Sequence, residues 1–241
     1  MTAAPSPPEG AAHGARPAVA AWCRDVVKVY RVDGNDSIAL GGVTKDFEAG
    51  AFTVVAGPSG CGKSTLLRLL ACVDRPTSGV VALEGHAVSE APSRTRRRLR
   101  RTRVGYIHPD PNDNLVEYLT AGEQVRLAAR LRGHRIADDE IAEALDRLGL
   151  GHRVDHRPAE LSGGEQQRVS VACATAVGPA LVVGDEPTAE LDSVAADSVL
   201  DGIRLLCDGG TAFVVASHDP KVIERADHLL RLDHGRTAES W

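Results

Sequence analysis

The chain is poor in aromatic residues, with three Phe, three Tyr and two Trp in 241 residues. It therefore offers no run of stacking surfaces of the kind that reads nucleic-acid bases. Its five cysteines (Cys23, Cys61, Cys72, Cys173 and Cys207) are odd in number, scattered and without a CxxC pair. That pattern excludes a disulfide frame or a sulfur-ligated zinc site and points to reduced thiols. No apolar run reaches about 18 residues, which excludes a membrane-spanning helix. The start lacks a basic segment followed by an apolar core, so no secretory signal is expected and the chain reads as cytosolic. Lysine is scarce as well, at four residues, so most of the positive charge is arginine. The net charge of -5 gives no global attraction to nucleic acid or anionic lipid, and any such contact must be local. What remains, 43% apolar and 25% charged residues, is the composition of a soluble globular protein with one sizeable core or two small ones.

The most informative stretch is Gly57-Pro58-Ser59-Gly60-Cys61-Gly62-Lys63-Ser64-Thr65, which satisfies the phosphate-loop pattern G-x-x-x-x-G-K-[ST]. The apolar run Phe52 to Ala56 before it reads as a buried strand, and Leu66 to Ala71 after it reads as a helix. Glycines allow the backbone to wrap round phosphate oxygens, and loop N–H groups with a helix N-terminus present partial positive charge. Lys63 is expected at the β- and γ-phosphates and the Ser64 hydroxyl at Mg²⁺. Cys61, beside Lys63 in this electropositive loop, is expected to be a reactive thiol that ATP would shield.

Residues 1 to about 20 are Ala, Pro and Gly with hardly an apolar anchor, and read as a disordered tail. Two β-favouring runs flank Asp33-Gly34-Asn35-Asp36, as in a hairpin. Tyr30 closes the first; it is either an adenine-stacking ring or a strand-end tyrosine packed on its own sheet. Arg94, Arg96, Arg97, Arg98, Arg100, Arg101 and Arg103 form the densest basic cluster. It reads either as a solvated helix face or as a patch for lipid phosphates or an acidic partner. Val104 to Ile107 suggests a strand running into an exposed turn-rich loop, His108 to Asn114. Helical period follows, with Asp138 as a candidate cap and Ile141, Leu145 and Leu148 on one face before Gly149. Ser162-Gly163-Gly164-Glu165 then opens a helix whose bare N-terminus suits an anion, although alone it would be only a cap.

Leu181 to Glu186 is a buried strand ending in two carboxylates that strand alternation sends to opposite sides. Asp185 suits the metal shell, and Glu186 a water facing the γ-phosphate. A later strand, Thr211 to Ala216, delivers His218, which can bond the γ-phosphate or stand as a surface imidazole.

Taken in order and spacing, the phosphate loop, Leu161 to Arg168, Asp185-Glu186-Pro187-Thr188, Leu191-Asp192 and Ser217-His218-Asp219 resemble the nucleotide-binding subunit of ABC transporters. Ile38-Ala39-Leu40, Asp113-Asn114-Leu115, Leu119 to Glu123 and Arg225 to Leu232 look like the macrolide-export, lipoprotein-release and cell-division group. The resemblance spans about residues 23 to 238. It implies an α/β fold: a RecA-like P-loop NTPase core, an antiparallel β subdomain holding Tyr30, and a helical signature subdomain at about residues 110 to 178, all within 21 to 241. It also implies a dimer, homo- or heteromeric, in which ATP lies between one phosphate loop and the partner's Ser162 to Glu165 turn. Tyr30 would stack on adenine, Glu186 act as catalytic base, His218 touch the γ-phosphate, Ser64 and Asp185 hold Mg²⁺, and Asp192 sit at the seam. The implied partner is an integral membrane permease, with the chain peripheral on the cytoplasmic face and no nucleic acid bound. Export or extraction of a hydrophobic substrate is the leading expectation. A switch signalling through a membrane partner, or a reduced-activity half of an asymmetric pair, is the alternative. Relatives in DNA repair or translation are disfavoured because no long heptad insert is present.

One position departs from the family pattern. Pro109 stands where a glutamine is usual as a Mg²⁺ and water contact and a joint to the permease. It offers no side-chain carbonyl and stiffens the loop, leaving Asp110 or water as the expected substitute.

Overall fold

The computed structural model describes residues 18–32 and 34–238. In chain order, β1 (Val19–Val32) and β2 (Asn35–Glu48) precede β3 (Phe52–Ala56) and α1 (Lys63–Leu70). Next come β4 (Ser78–Leu83), β5 (His86–Ala87), α2 (Ser93–Arg103) and β6 (Val104–Ile107). Three helices follow, α3 (Ala121–Leu131), α4 (Asp138–Asp146) and α5 (Gly163–Thr175). The chain then runs through β7 (Leu181–Asp185), α6 (Ser193–Asp208), β8 (Ala212–Ala216), α7 (Pro220–Glu224), β9 (His228–Asp233) and β10 (Arg236–Thr237). β1 begins at Val19, inside the stretch that composition reads as a tail; residues 1–17 lie outside the described residues.

β1 and β2 pair antiparallel with Val32 opposite Asn35, the hairpin expected at this turn. β4 and β5 complete a four-stranded sheet in the order β2-β1-β4-β5. The second sheet has six strands in the order β10-β9-β3-β8-β7-β6, parallel except for β10. β3 and β8 are buried at every residue, as unbroken apolar runs covered on both faces must be. Alternation along them sorts the core into two halves. Val55, Val183 and Val214 join Leu66 and Leu70 of α1 and Leu40, Val43 and Phe47 of β2. Val54, Val182 and Val215 face the other way, onto Val169 of α5 and Val199 and Ile203 of α6. Each fully buried Val or Leu contributes roughly 1.5–3 kcal/mol, so the two-sided burial holds the strand register.

The helical region packs through Val125 of α3 and Ile141 and Leu145 of α4 onto α5. Asp138 does not cap α4. The cap position is Ala137, whose N–H donates to Glu140 Oε2 at 2.8 Å, while Asp138 pairs with Arg126. Glu140 can reach back because it is the third helical residue, the geometry of a capping box without its hydroxyl. α4 also stops at Asp146, so Leu148 enters the core from beyond the helix end.

Parallel pairing carries a consequence for function. Val55, Ala216 and Asp185 lie level across β3, β8 and β7, and Ile107 of β6 pairs with Gly184. The segments that follow all four strands therefore leave at the same edge, the usual place for ligands on an open α/β sheet.

Asp227 fastens the opposite end of β3: Oδ2 accepts from the Phe52 N–H at 2.8 Å and Oδ1 from Arg204 Nη1 at 2.7 Å. Burial works to raise its carboxyl, but the Phe52 N–H and the Arg204 guanidinium outweigh that and hold it below the usual carboxylate range. A lowered folded value favours the native state above the ordinary carboxylate range, and the contribution is lost as pH falls through the lowered value. The stability gap between wild type and Asp227→Asn in urea unfolding is expected in full at neutral pH and to shrink as pH falls through and below the ordinary carboxylate range. A gap that does not change with pH would contradict this assignment.

Candidate functional site

The phosphate loop leaves β3 through backbone that only glycine fits. Gly57 and Gly62 have φ of 152° and 104°. A Cβ on Gly57 would lie 2.1 Å from the Leu232 carbonyl oxygen, and one on Gly62 would lie 2.3 Å from that of Ala39. Lys63 folds back over the loop, with Nζ donating to the carbonyls of Gly57 at 2.8 Å and Pro58 at 3.1 Å. The loop and the end of β7 enclose a cleft of about 310 Å³, lined by Ser59, Gly60, Lys63, Ser64, Asp185 and Glu186 among others. Ala39 also lines it, from β2 of the antiparallel sheet. Sequence reasoning assigned Ala39 no role, since a small residue in a strand carries no chemical signal.

Cys61 differs from expectation. It is 4% exposed and belongs to the core, with its sulfur turned under Gly57. The electropositive loop is built from backbone above it, and burial withholds the thiol from reagents in solvent.

The two carboxylates also differ from the alternation argument. β7 ends at Asp185, and Glu186 takes a left-handed φ of 48° while its N–H bonds the Ala216 carbonyl at 2.9 Å. Strand geometry no longer applies there, so both side chains reach the same cleft. A non-glycine residue held at positive φ costs of order 1–3 kcal/mol, and such strain concentrates at functional sites. Glu186 Oε1 lies 2.8 Å from His218 Nδ1. A carboxylate only accepts, so Nδ1 carries the proton and Nε2 is left free. The His218 side chain is 76% exposed and that of Glu186 23%, which sets the imidazole outermost. On β6, burial first and then the Asp185 charge raise the Tyr106 phenol.

Ser64 and Asp185 both line the cleft. Among the described residues no cluster of three or more His, Cys, Asp or Glu side chains forms a metal cage. This donor set fits Mg²⁺, which takes one or two protein ligands and completes its shell with phosphate and water.

The loop after β6 is tied to itself. Asp110 Oδ1 accepts from the backbone and side-chain N–H groups of Asn112 and caps a 3₁₀ turn, Pro111–Asp113. Asn114 Oδ1 accepts from the His108 N–H at 3.1 Å. Asp110 is thereby engaged within the loop, and it does not line the cleft as its expected metal role requires. Gln167 of α5, fully buried, donates from Nε2 to the His108 carbonyl at 3.3 Å. Its Oε1 has no partner, and the next residue after His108, Pro109, has no N–H to offer.

Three predicted elements lie away from the cleft in this single chain. Tyr30 donates to Asp74 Oδ2 at 2.9 Å and carries Lys28 Nζ 4.7 Å from its ring centre. Ser162 and Glu165 form a capping box at the start of α5, and Arg153 holds Glu165 at 2.9 Å. The Ser162 N–H above all keeps the Glu165 carboxyl below its ordinary range, against a smaller opposing effect of burial. Asp192 caps α6 through the N–H groups of Val194 and Ala195. A Cβ on Gly164 would lie 2.6 Å from that of Ala195, so these two helix starts are neighbours.

Comparison with known proteins agrees with this geometry. The family model described as ABC transporter matches residues 40–189. An uncharacterized ABC transporter ATP-binding protein of Thermotoga maritima is 37% identical over 214 residues, covering 88% of this chain and 91% of that protein. The lipoprotein-releasing system ATP-binding protein LolD 2 of Caulobacter vibrioides is 37% identical over 88% of this chain and 93% of its own length. The macrolide export ATP-binding/permease protein MacB of Hyphomonas neptunium is 38% identical over 88% of this chain, which spans only 33% of MacB. Among solved structures, the dimeric post-hydrolysis state of the ATP-binding cassette MJ0796 bound to ADP and Pi has a TM-score of 0.80 at 30% identity, covering 91% of this chain and 97% of that one.

The burial of Cys61 has a direct test. In the folded chain Cys61 is expected to label with maleimide at the same slow rate with and without ATP, and rapidly only after unfolding. Fast native labelling that ATP suppresses would restore the reactive-thiol reading.

Proposed function

Because the chain belongs to the ABC transporter family as an ATP-binding cassette, we propose that it hydrolyses ATP with Mg²⁺ to drive a separate membrane permease. The observation that carries the reading is one cleft joining the phosphate loop, Asp185 and the Glu186–His218 pair. In this reading the loop N–H groups and Lys63 take the phosphates, exchanging the two loop carbonyls that Lys63 now bonds for phosphate oxygens. Mg²⁺ held by Ser64 and Asp185 would neutralise the phosphate charge. Glu186 accepts a proton from the attacking water, and His218, with Nδ1–H on Glu186, orients that carboxylate and turns Nε2 towards the γ-phosphate position.

The second half of the site is assigned to a second ATP-binding subunit. Its Ser162, Gly163, Gly164 and Glu165 would meet the nucleotide across the interface, with Asp192 close by, and Tyr30 would stack on adenine from the same chain as the phosphate loop. No helix among the described residues is long and apolar enough to cross a membrane; in this reading the permease is a separate chain, as the similarity to LolD 2 over 93% of its length favours, and this one sits peripherally at the cytoplasmic face. The named relatives in lipoprotein release and macrolide export favour a hydrophobic cargo that is exported or extracted.

Pro109 favours a second reading, in which this chain is the weaker half of an asymmetric pair or a switch without transport. No side-chain carbonyl stands at 109, and Asp110 is engaged by Asn112. On the main reading, Glu186→Gln is expected to lower hydrolysis by about 10²–10⁴-fold while Mg-ATP binding persists, and to trap a dimer visible by size-exclusion chromatography. Undiminished turnover would remove Glu186 from its role. On the second reading, Pro109→Gln is expected to raise turnover and tighten its Mg²⁺ dependence, and an unchanged Mg²⁺ titration would count against it.

A further inference from the structure

Helix α2 divides its arginines between two faces. Arg96 donates to the Asp74 carbonyl at 2.9 Å, Arg100 to the Cys72 carbonyl at 3.1 Å, and Arg103 meets Glu84 at 3.3 Å. These three fasten the helix to the end of α1 and the turn after β4. Arg94, Arg97, Arg98 and Arg101 follow the spacing i, i+3, i+4, i+7 and so share another face. All four are exposed and, among the described residues, none has a carboxylate partner. With Thr95 they surround a cleft of about 610 Å³. Four like charges within two turns repel one another, and the attachment of the helix does not depend on them. A fold with a net charge of -5 thus concentrates unpaired guanidinium groups on one two-turn surface.

We infer that this face of α2 binds the phosphate headgroups of anionic lipids. Guanidinium forks match phosphate oxygens in pairs, and each basic residue near an anionic leaflet strengthens binding about fivefold. A protein partner would need an apolar anchor at the centre of its interface, and the lining of this cleft contains none. An RNA partner would need stacking rings, also absent here. Arg101 also borders a separate groove of mixed lining, with Tyr106, Ala128 and Leu131 beside Asn114 and Arg132, which offers a protein the apolar contacts that the α2 cleft lacks. That groove borders the Pro109 loop, where the proposed permease joint lies, so lipid and permease contacts would fall on one side of the molecule. The inference goes beyond the proposed transport function and does not need it, since lipid binding by the chain alone requires neither permease nor turnover.

The test is co-sedimentation of the full chain with phosphatidylcholine vesicles and with vesicles containing about 30% phosphatidylglycerol. Wild type is expected to bind the anionic vesicles selectively, and less so as salt screens the exposed charges. The quadruple variant R94Q/R97Q/R98Q/R101Q is expected to lose at least about tenfold in affinity, with its melting temperature and ATP binding unchanged. A control triple variant at the other basic cleft, R126Q/R130Q/R135Q, is expected to bind like wild type. Failure of wild type to prefer anionic vesicles, or an equal loss in the control, would overturn the assignment. Because ATP binding is measured beside vesicle binding, failure of the lipid assignment is separable from failure of the ATPase reading.

Discussion

Parallel pairing of β6, β7, β8 and β3 is the constraint on which the rest of the structure depends. It brings Ile107, Asp185, Ala216 and Val55 to one edge, so that segments distant in sequence end within reach of one another. The register is strict because both faces are buried: sliding β8 by one residue would exchange Val214 and Val215 between two cores lined by different helices. Stability and chemistry share this cause. The same apolar runs that bury the sheet give way to polar residues at its exit edge, where the cleft forms.

Local strain then refines what the sheet places. Glu186 leaves the β7 direction at φ 48°, held by the bond from its N–H to the Ala216 carbonyl. That turn puts its carboxylate beside Asp185, while the bond to His218 Nδ1 separates the roles available to the two acids. In the proposed reaction Asp185 would be left to the metal, while Glu186 is oriented by an imidazole. The loop after β6 shows the opposite economy, because its polar groups satisfy each other. Asp110 caps a turn and Asn114 bonds both polar backbone groups of His108. Gln167, which ties this loop to α5 through the His108 carbonyl, keeps an unpartnered oxygen. On the proposed function, a stiff loop joined to α5 by this one bond would couple to it differently from a glutamine-bearing loop.

What was legible in the sequence had a period or an unambiguous residue requirement. The phosphate loop could be read because Gly57 and Gly62 occupy backbone closed to any side chain, and the buried strands because β3 and β8 are unbroken apolar runs. The misses share one origin, the direction of a side chain after a turn. Cys61 lies in an electropositive loop by sequence but points into the core. Asp138 precedes a helical pattern, yet Glu140 satisfies the start of the helix. Glu186 follows a strand, but one positive φ cancels the alternation. The arginines of α2 form one charge run in sequence, and only their bonds to the Asp74 and Cys72 carbonyls separate the attached face from the free one. Ala39 entered the sequence reading only as part of a family-like stretch, and its place in the cleft could not be read, since a small strand residue carries no chemical signal.

The parts that lie away from the cleft are already held in place. Ser162 and Glu165 satisfy each other and Arg153 anchors the glutamate, so the start of α5 does not have to be ordered on binding. Asp192 fixes α6 in the same manner, and close packing of Gly164 on Ala195 locks the two helix starts together. Among the four N–H groups that a helix start leaves without internal acceptors, that of Glu165 is taken by Ser162, while those of Gly163 and Gly164 come first in the helix. A surface preformed to this degree binds without the entropy loss of arranging loops, a loss that otherwise weighs heavily against association. In the proposed pair, a phosphate group at that helix start would meet donors whose direction is fixed beforehand. The nucleotide could then favour closure through differential contacts with the closed state alone, which is what an ATP-driven switch between two states requires.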